Sequence, residues 1–434
     1  MNTANTTFVI IASILVLFMT PGLAFFYGGL VSKRNVVNTM LSVFFIIGIA
    51  ILLWISVGYE LSFNGNIHGF IGIVHHFFLA NLNLKQLTAT GIPRGLYLFF
   101  QMMFAVITPA LFVGAIVGRI RFKFLFWFIV LWSFAIYYPM VHMVWSPHGL
   151  LANLGIIDFA GGTVVHITAG ITAFVLSAFL GHRFNYGQTT KHYNLPWVLL
   201  GTSILWVGWY GFNAGSALAI NNIAIQAALT STVAAATSMV AWLFLDTHFV
   251  GKPTLVGVCT GTLCGLVGIT PAAGYVTIGG AFWIGLLATA ASYSFITYLK
   301  PRIGVDDALD AFGCHGVSGI MGSIATGLFA TKTVNPKIPE NGLFYGGGFK
   351  LFGVQLLGTL LTILFVAGMC ALVISLLRLV IKMRVDETEE RVGLDQGEHG
   401  ETADYTVEIN NDFVNYEDEF KGQMANFHHK PNHH

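Results

Sequence analysis

Two stretches of this chain set ionisable side chains among apolar neighbours: DFAGGTVVHITAG, residues 158–170, and DAFGCHGVSGI, residues 310–320. His166 and His315 are the residues in them that can handle a proton near neutral pH. A neutral imidazole offers one donor and one acceptor, and two such rings side by side can share or relay a proton. One histidine in an apolar run also reads as a core residue bonded to a backbone carbonyl. Two, each preceded by Asp and Gly in the same order, point to a site, because an ionisable residue within a membrane span costs ~2.5–3.5 kcal/mol on insertion. Asp158 heads its run, where a carboxylate accepts backbone N–H bonds and meets the positive end of a helix dipole. That structural role is the first reading of its side chain, and direct contact with a substrate cation is the second. Trp145 closes HMVW, Phe104 lies in QMMFAVIT, and Phe212 and Ser216 lie in GWYGFNAGS. With 37 Phe in the chain, pattern alone does not single out these aromatics from packing or an interfacial belt.

The elements that must position these residues follow from composition. Of 434 residues, 55% are hydrophobic and only 9% charged, far below the roughly one quarter of charged residues in soluble domains. The expected class is an all-α polytopic membrane protein. A bilayer core of ~30 Å needs about 20 apolar residues per helix. Eleven such runs are expected, near 8–30, 36–59, 96–118, 124–145, 160–180, 196–218, 225–247, 254–272, 276–298, 313–330 and 351–380. The first lacks a positive leader region and reads as a retained span rather than a signal peptide. The four cysteines all fall in apolar runs without metal or redox spacing and read as small hydrophobes. The 49 glycines read as close helix packing.

Orientation follows from the bases, which favour cytoplasmic loops. With the N-terminus outside, thirteen Lys and Arg, among them Arg34, Arg119, Arg121, Arg183 and Lys300, fall in inner loops, and five in outer loops. Thirteen of the twenty Asp and Glu lie from Asp386 onward, with three of the twenty-one Lys and Arg. Residues 1–385 therefore read as the membrane domain and 386–434 as an acidic cytoplasmic tail, disordered beyond about 405. Eleven spans divide into two inverted five-helix repeats plus one extra helix, with FFYGGL echoed by WYGFNAGS, and such repeats place sites near the midplane. The fourth span also carries His142 near its outer end, where an interfacial role is expected. The terminal HHKPNHH reads as a flexible polar end rather than a metal site.

The stretches FFYGGLVSKRNVVNTM (25–40), HMVW (142–145), DFAGGTVVHI (158–167), GWYGFNAGSA (208–217), VDDALDAFGCHGVSGI (305–320) and GLDQGEHGETADY (393–405) resemble the ammonium transporter (Amt/Rh) family over nearly the whole chain. The chain is similar to its bacterial members. The resemblance implies an eleven-helix fold, a homotrimer in the bacterial plasma (inner) membrane, and one conduction path per subunit. It makes Phe104, Trp145 and Ser216 the outer recruitment site for ammonium, with methylammonium as analogue. It makes Phe104 and Phe212 the gate, His166 and His315 the twin pore imidazoles, Trp209 a pore-lining neighbour, and Asp158 the aspartate near the vestibule. In the tail it implies a regulatory segment including Gly393, Asp395, His399, Gly400 and Glu401, and a PII-type signalling protein as partner. The chain departs from many bacterial relatives where SPHG, with Pro147 and His148, follows HMVW in place of a glycine run.

A cation over Trp or Phe faces gains ~0.5–2 kcal/mol, which concentrates NH4+ but separates it poorly from K+. Ammonium can shed a proton, and neutral ammonia crosses an apolar tube without an ion's desolvation penalty. Deprotonation is thus the expected filter, with the histidines relaying the proton. An ammonium-sensing receptor and a gas or small neutral-molecule channel of the Rh type stand as alternatives. No Ser/His/Asp, metal-ligand or phosphate-loop signature marks an enzyme, a resident metal or a cofactor, and nothing points to nucleic acid.

Overall fold

A computed structural model of the chain describes residues 1–188 and 191–403. The disorder expected beyond about 405 and the His428–His434 run lie outside the described residues. Among the described residues the secondary structure is helical, apart from isolated bridges such as Ile120 with Arg384. Hydrocarbon offers no water to satisfy peptide groups, so an apolar run of span length resolves into helix. Nine stretches among the described residues are long and apolar enough to cross a bilayer. They are α1 (Thr3–Leu30), α2 (Lys33–Phe63), α3 (Arg94–Ile116), α4 (Phe122–Asn153), α5 (Gly162–Leu180), α6 (Leu195–Ala217), α7 (Asn222–Phe249), α9 (Ile278–Ile303) and α11 (Phe349–Leu377). The two other apolar runs form shorter helices: α8 (Leu255–Ile269), and α10, in which Phe312–Val317 leads into Ser318–Phe329.

Burial ranks these helices. α3 is 89% buried and α5 78% over their most apolar windows, against 28% for α2 and 33% for α7 and α11. The peripheral helices turn large apolar side chains outward, among them Phe44, Phe244 and Leu364. The inner helices bury theirs, Phe104 on α3 and His166 on α5 included.

The helices are not uniform. Among the described residues five single π turns occur in or at the head of them, at Trp54–Gly58, Ser133–Tyr137, Gly162–Ile167, Phe295–Leu299 and Phe312–Val317. A π turn widens the hydrogen-bond ladder by one residue and re-aims the side chains it carries. Two of the five hold His166 and His315.

Beyond α11 the chain turns back beneath the bundle as two short helices, Glu387–Val392 and Leu394–His399. The first opens with a capping box in which Asp386 and Glu389 satisfy each other's backbone N–H.

Candidate functional site

The site begins at a tight turn ahead of α5. Asp158 is 7% exposed, and its carboxylate accepts four consecutive N–H groups: Gly161 at 3.0 Å and Gly162 at 2.8 Å on one oxygen, Thr163 at 2.9 Å and Val164 at 3.1 Å on the other. These are the donors that a helix start leaves without intrahelical partners. Gly161 holds φ at +110°, a conformation a side chain resists, so the chain can fold back over the carboxylate. The Asp158 carbonyl accepts the Trp145 indole N–H at 3.2 Å, tying α4 to this turn. The aspartate side chain is thus spent on the backbone.

The same device recurs ahead of α10 at a residue the sequence reading passed over. The Asp307 carboxylate accepts the N–H groups of Ala311 at 2.9 Å, Phe312 at 2.8 Å and Gly313 at 3.3 Å. Sequence reasoning had matched Asp310 to Asp158 by the order Asp, Gly, His. Asp310 instead takes a positive φ of 57° and pairs with Lys300. The missed signal was spacing: Asp158 precedes His166 by eight residues, and Asp307 precedes His315 by eight.

The π turns bring the two histidines together. Their rings lie parallel, 9° apart with centroids 5.4 Å apart, and each residue is at most 4% exposed. Close backbone contact sets this spacing, since a Cβ on Gly170 would stand 2.2 Å from the Gly316 Cα. His166 also lies flat against Trp209, at 5.3 Å and 15°, and against Phe212, at 5.7 Å and 28°. The Trp209 indole is fixed by donating to Thr270 Oγ1 at 2.9 Å. Neither ring nitrogen of His166 nor Nδ1 of His315 has a partner. Buried imidazoles are ordinarily satisfied, which sets these nitrogens apart from those of a packed core.

Above the histidines, Phe212 meets Phe104 at 4.5 Å and 46°, and Phe104 meets Trp145 edge to face at 5.6 Å and 88°. Phe104 and Phe212 are at most 1% exposed. Over them lies a cavity of 140 Å³ lined by Trp145, Phe104, Ser216, Gln101, Tyr97 and other residues. Among the described residues no carboxylate lines it. The structure therefore brings together Trp145, Phe104, Ser216, Phe212, Trp209, His166 and His315 in one file, with Asp158 beside it.

His142 departs from its expected interfacial place. It is fully buried, its Nδ1 at 3.0 Å from the Ser62 carbonyl and its Nε2 at 3.1 Å from Asn66 Oδ1. The segment that holds Ser62 and Asn66 covers that end of α4. Pro147 and His148 are exposed and do not line the cavity.

The five tail residues lie at the opposite, basic end. Asp395 accepts the Asn38 N–H at 2.8 Å, and its carbonyl accepts the Glu401 N–H at 3.0 Å. His399 Nε2 lies 2.9 Å from the Asn38 amide nitrogen. Gly393 and Gly400 hold positive φ, of 108° and 66°, and bound the second short helix, while Glu401 is exposed. Burial raises the Asp395 carboxyl above its ordinary range, and the backbone N–H bonds from α2 offset this in part. Next to them, Glu390 joins the tail to the loop after α5, accepting the Phe184 N–H at 2.8 Å and the Arg384 guanidinium at 2.7 Å. In that loop Arg183 forms a bidentate pair with Asp306, both bonds 2.8–2.9 Å.

The Ammonium Transporter Family profile matches residues 7–404. An ammonium transporter of Aquifex aeolicus (strain VF5) is 44% identical over 404 residues, covering 93% of this chain and 94% of the relative. The crystal structure of Saccharomyces cerevisiae Mep2 superposes with a TM-score of 0.81 at 32% identity, over 89% of this chain and 88% of that one. A structure described as a sensor Amt protein superposes with a TM-score of 0.83 at 29% identity, over 91% of this chain and 98% of that one. Motifs, fold and relatives agree over the body of the sequence: the chain belongs to the ammonium transporter family.

Proposed function

We propose that this protein recruits NH4+ at Trp145, Phe104 and Ser216, removes its proton near the Phe104–Phe212 gate, and conducts ammonia past His166 and His315. The observation that carries this reading is the parallel histidine pair, buried and with unpartnered ring nitrogens, directly below a closed aromatic file. A bare cation entering that file would lose its hydration against rings and two neutral imidazoles, with no carboxylate to replace it. Ammonia meets no such penalty and can exchange hydrogen bonds with the ring nitrogens. Asp158 serves by holding the first turn of α5, and Trp209 by holding the His166 ring.

In this reading the chain crosses the plasma (inner) membrane of a bacterium eleven times, N-terminus outside. It is built from two inverted five-helix repeats and a last helix. The matched aspartates, each eight residues before its histidine and each capping a π turn, support that two-fold relation. The subunits form a homotrimer with one path each. Residues 1–385 make the membrane body. Residues 386–434 make a cytoplasmic tail whose contacts at Asn38, Phe184 and Arg384 transmit the binding of a PII-type protein to the inner mouth. The PII contact is tested by a pull-down with the cognate protein in its effector-free form, where no retention counts against it.

The transport reading is tested by ammonium and potassium pulses on proteoliposomes adsorbed to a solid-supported membrane. Ammonium should evoke a response and potassium none, while equal responses sink the filter. The likeness to a sensor Amt protein favours a receptor as the second reading. A receptor would bind ammonium without vesicular methylammonium uptake.

A further inference from the structure

The turn that carries His315 rests on a lysine that neither the histidine pair nor the outer cavity accounts for. Lys300 stands in the last helical turn of α9, Lys300–Ile303. Its ammonium donates to the Asp307 carbonyl at 2.9 Å and to the Asp310 carboxylate. Both acceptors belong to the segment that opens α10. The Asp307 carboxylate accepts the N–H groups of Ala311, Phe312 and Gly313, and the Asp310 carbonyl accepts that of Cys314 at 2.8 Å, next to His315. Asp310 holds a positive φ of 57°, a conformation that costs a non-glycine residue energy and persists where its surroundings impose it. A cation bonded to that residue and to the carbonyl three positions before it is such a constraint. The other half of the molecule has the same arrangement with a different donor. Ahead of α5, the carbonyl of the capping Asp158 accepts the Trp145 indole N–H at 3.2 Å. Each capping aspartate is therefore held twice, its carboxylate by backbone N–H groups of the π turn and its carbonyl by a side chain of another helix. Trp145 does this from the outer cavity; Lys300 does it from the opposite end, where Asp306, the neighbour of Asp307, pairs with Arg183.

We propose that Lys300 is a positioning residue for conduction: by holding the Asp307 carbonyl it fixes the π turn, keeps the His315 ring parallel to His166, and so sets the rate at which ammonia passes the pair. This rests on the reading of the two histidines as the conduction path. A site holds its geometry only as firmly as the bonds behind it, and a charged donor makes a stronger bond than a neutral one. Lys300 acts through Asp307 and does not line the outer cavity, so it leaves recruitment there alone.

The test is uptake of labelled methylammonium into proteoliposomes over a range of concentrations, per folded molecule, for the parent, Lys300→Met and Lys300→Arg, with hydrogen exchange of residues 311–317 followed on the same proteins. Methionine keeps the length and removes the donors, whereas arginine keeps a cation that can donate to both acceptors. Loss of one hydrogen bond from a charged donor predicts that Lys300→Met lowers the saturating rate about tenfold, with the half-saturating concentration within about twofold of the parent's. Exchange across residues 311–317 should quicken by a similar factor, and Lys300→Arg should recover most of both. If Lys300→Met keeps the parent's saturating rate, or only melts earlier while each folded molecule transports as before, the lysine is merely structural and the proposal is overturned. A rise in the half-saturating concentration to match the fall in rate places the effect at recruitment and overturns it too. So does an arginine variant whose turn exchanges like the parent's but which transports as slowly as Lys300→Met. If the parent takes up no methylammonium at all, the transport reading fails, and unaltered exchange in Lys300→Met then separately overturns the hold on the turn.

Discussion

Removing the Asp158 carboxylate perturbs the site from beside the histidine pair rather than within it. Four backbone N–H groups at 2.8–3.1 Å end on its two oxygens. Each buried donor left unpaired costs about 1–3 kcal/mol. Asp158→Ala therefore removes about 4–12 kcal/mol, as much as the ~5–15 kcal/mol that typically holds a protein folded. Asp158→Asn can keep one oxygen for Gly161 and Gly162, but it turns an NH2 donor toward Thr163 and Val164, so about half of the stabilisation is lost. Asp158→Glu keeps both oxygens on a longer arm and should fall between Asn and the parent. The expected order of melting temperature in detergent, followed by fluorescence-detected size exclusion, is Asp, Glu, Asn, Ala, with methylammonium uptake in the same order. An alanine variant melting within about 2 °C of the parent, under ~1 kcal/mol for a chain of this size, and transporting normally would refute the argument that this side chain serves the backbone.

Further outcomes follow from the same contacts. Gly170→Ala places a Cβ 2.2 Å from the Gly316 Cα, so α5 and α10 must part; overpacking of this kind costs about 1–3 kcal/mol, and uptake should fall sharply while the protein still elutes as a single folded species. Trp209→Phe deletes the bond to Thr270 and frees the ring against His166, a loss of about 1 kcal/mol that should show as a several-fold slower uptake. Glu390→Gln weakens the tie between tail and loop, and hydrogen exchange at Phe184 should rise by the equivalent of about 1–3 kcal/mol. Burial alone would raise the Asp306 carboxyl, but Arg183 and Arg119 hold it below its ordinary value of 3.8. Its folded pKa is depressed, so its contribution is present above pH ~4 and lost as pH falls further. Protease sensitivity of the loop after α5 should increase only below that range.

The apolar runs were legible because hydropathy over about 20 residues reports a physical requirement directly, and helices are found where each run was expected. Two of those runs, at Leu255–Ile269 and Phe312–Phe329, are too short or too polar to stand out by length and hydropathy among the nine. Gly-rich composition around His166 and His315 pointed to close packing, and Gly170 against Gly316 is such a contact. The π turns were not legible, since one extra residue in a helix ladder depends on what the helix must fit against rather than on its own sequence. Asp307 was missed because three aspartates, Asp306, Asp307 and Asp310, precede His315 and order was weighed ahead of spacing. His142 was misplaced because hydropathy locates a residue along a helix but not the loop folded over its end. Aromatic side chains were too many for pattern to choose among; only the file from Trp145 through Phe104 and Phe212 to His166 separates them from packing.

The account turns on the claim that the paired imidazoles couple proton movement to the passage of ammonia. The direct measurement is the ammonium-evoked current of proteoliposomes on a solid-supported membrane, with the His166→Leu/His315→Leu double variant beside the parent at equal protein density. The account predicts that this current vanishes in the double variant while the protein stays folded and elutes as the parent does. An unchanged ammonium current with potassium still excluded would contradict it.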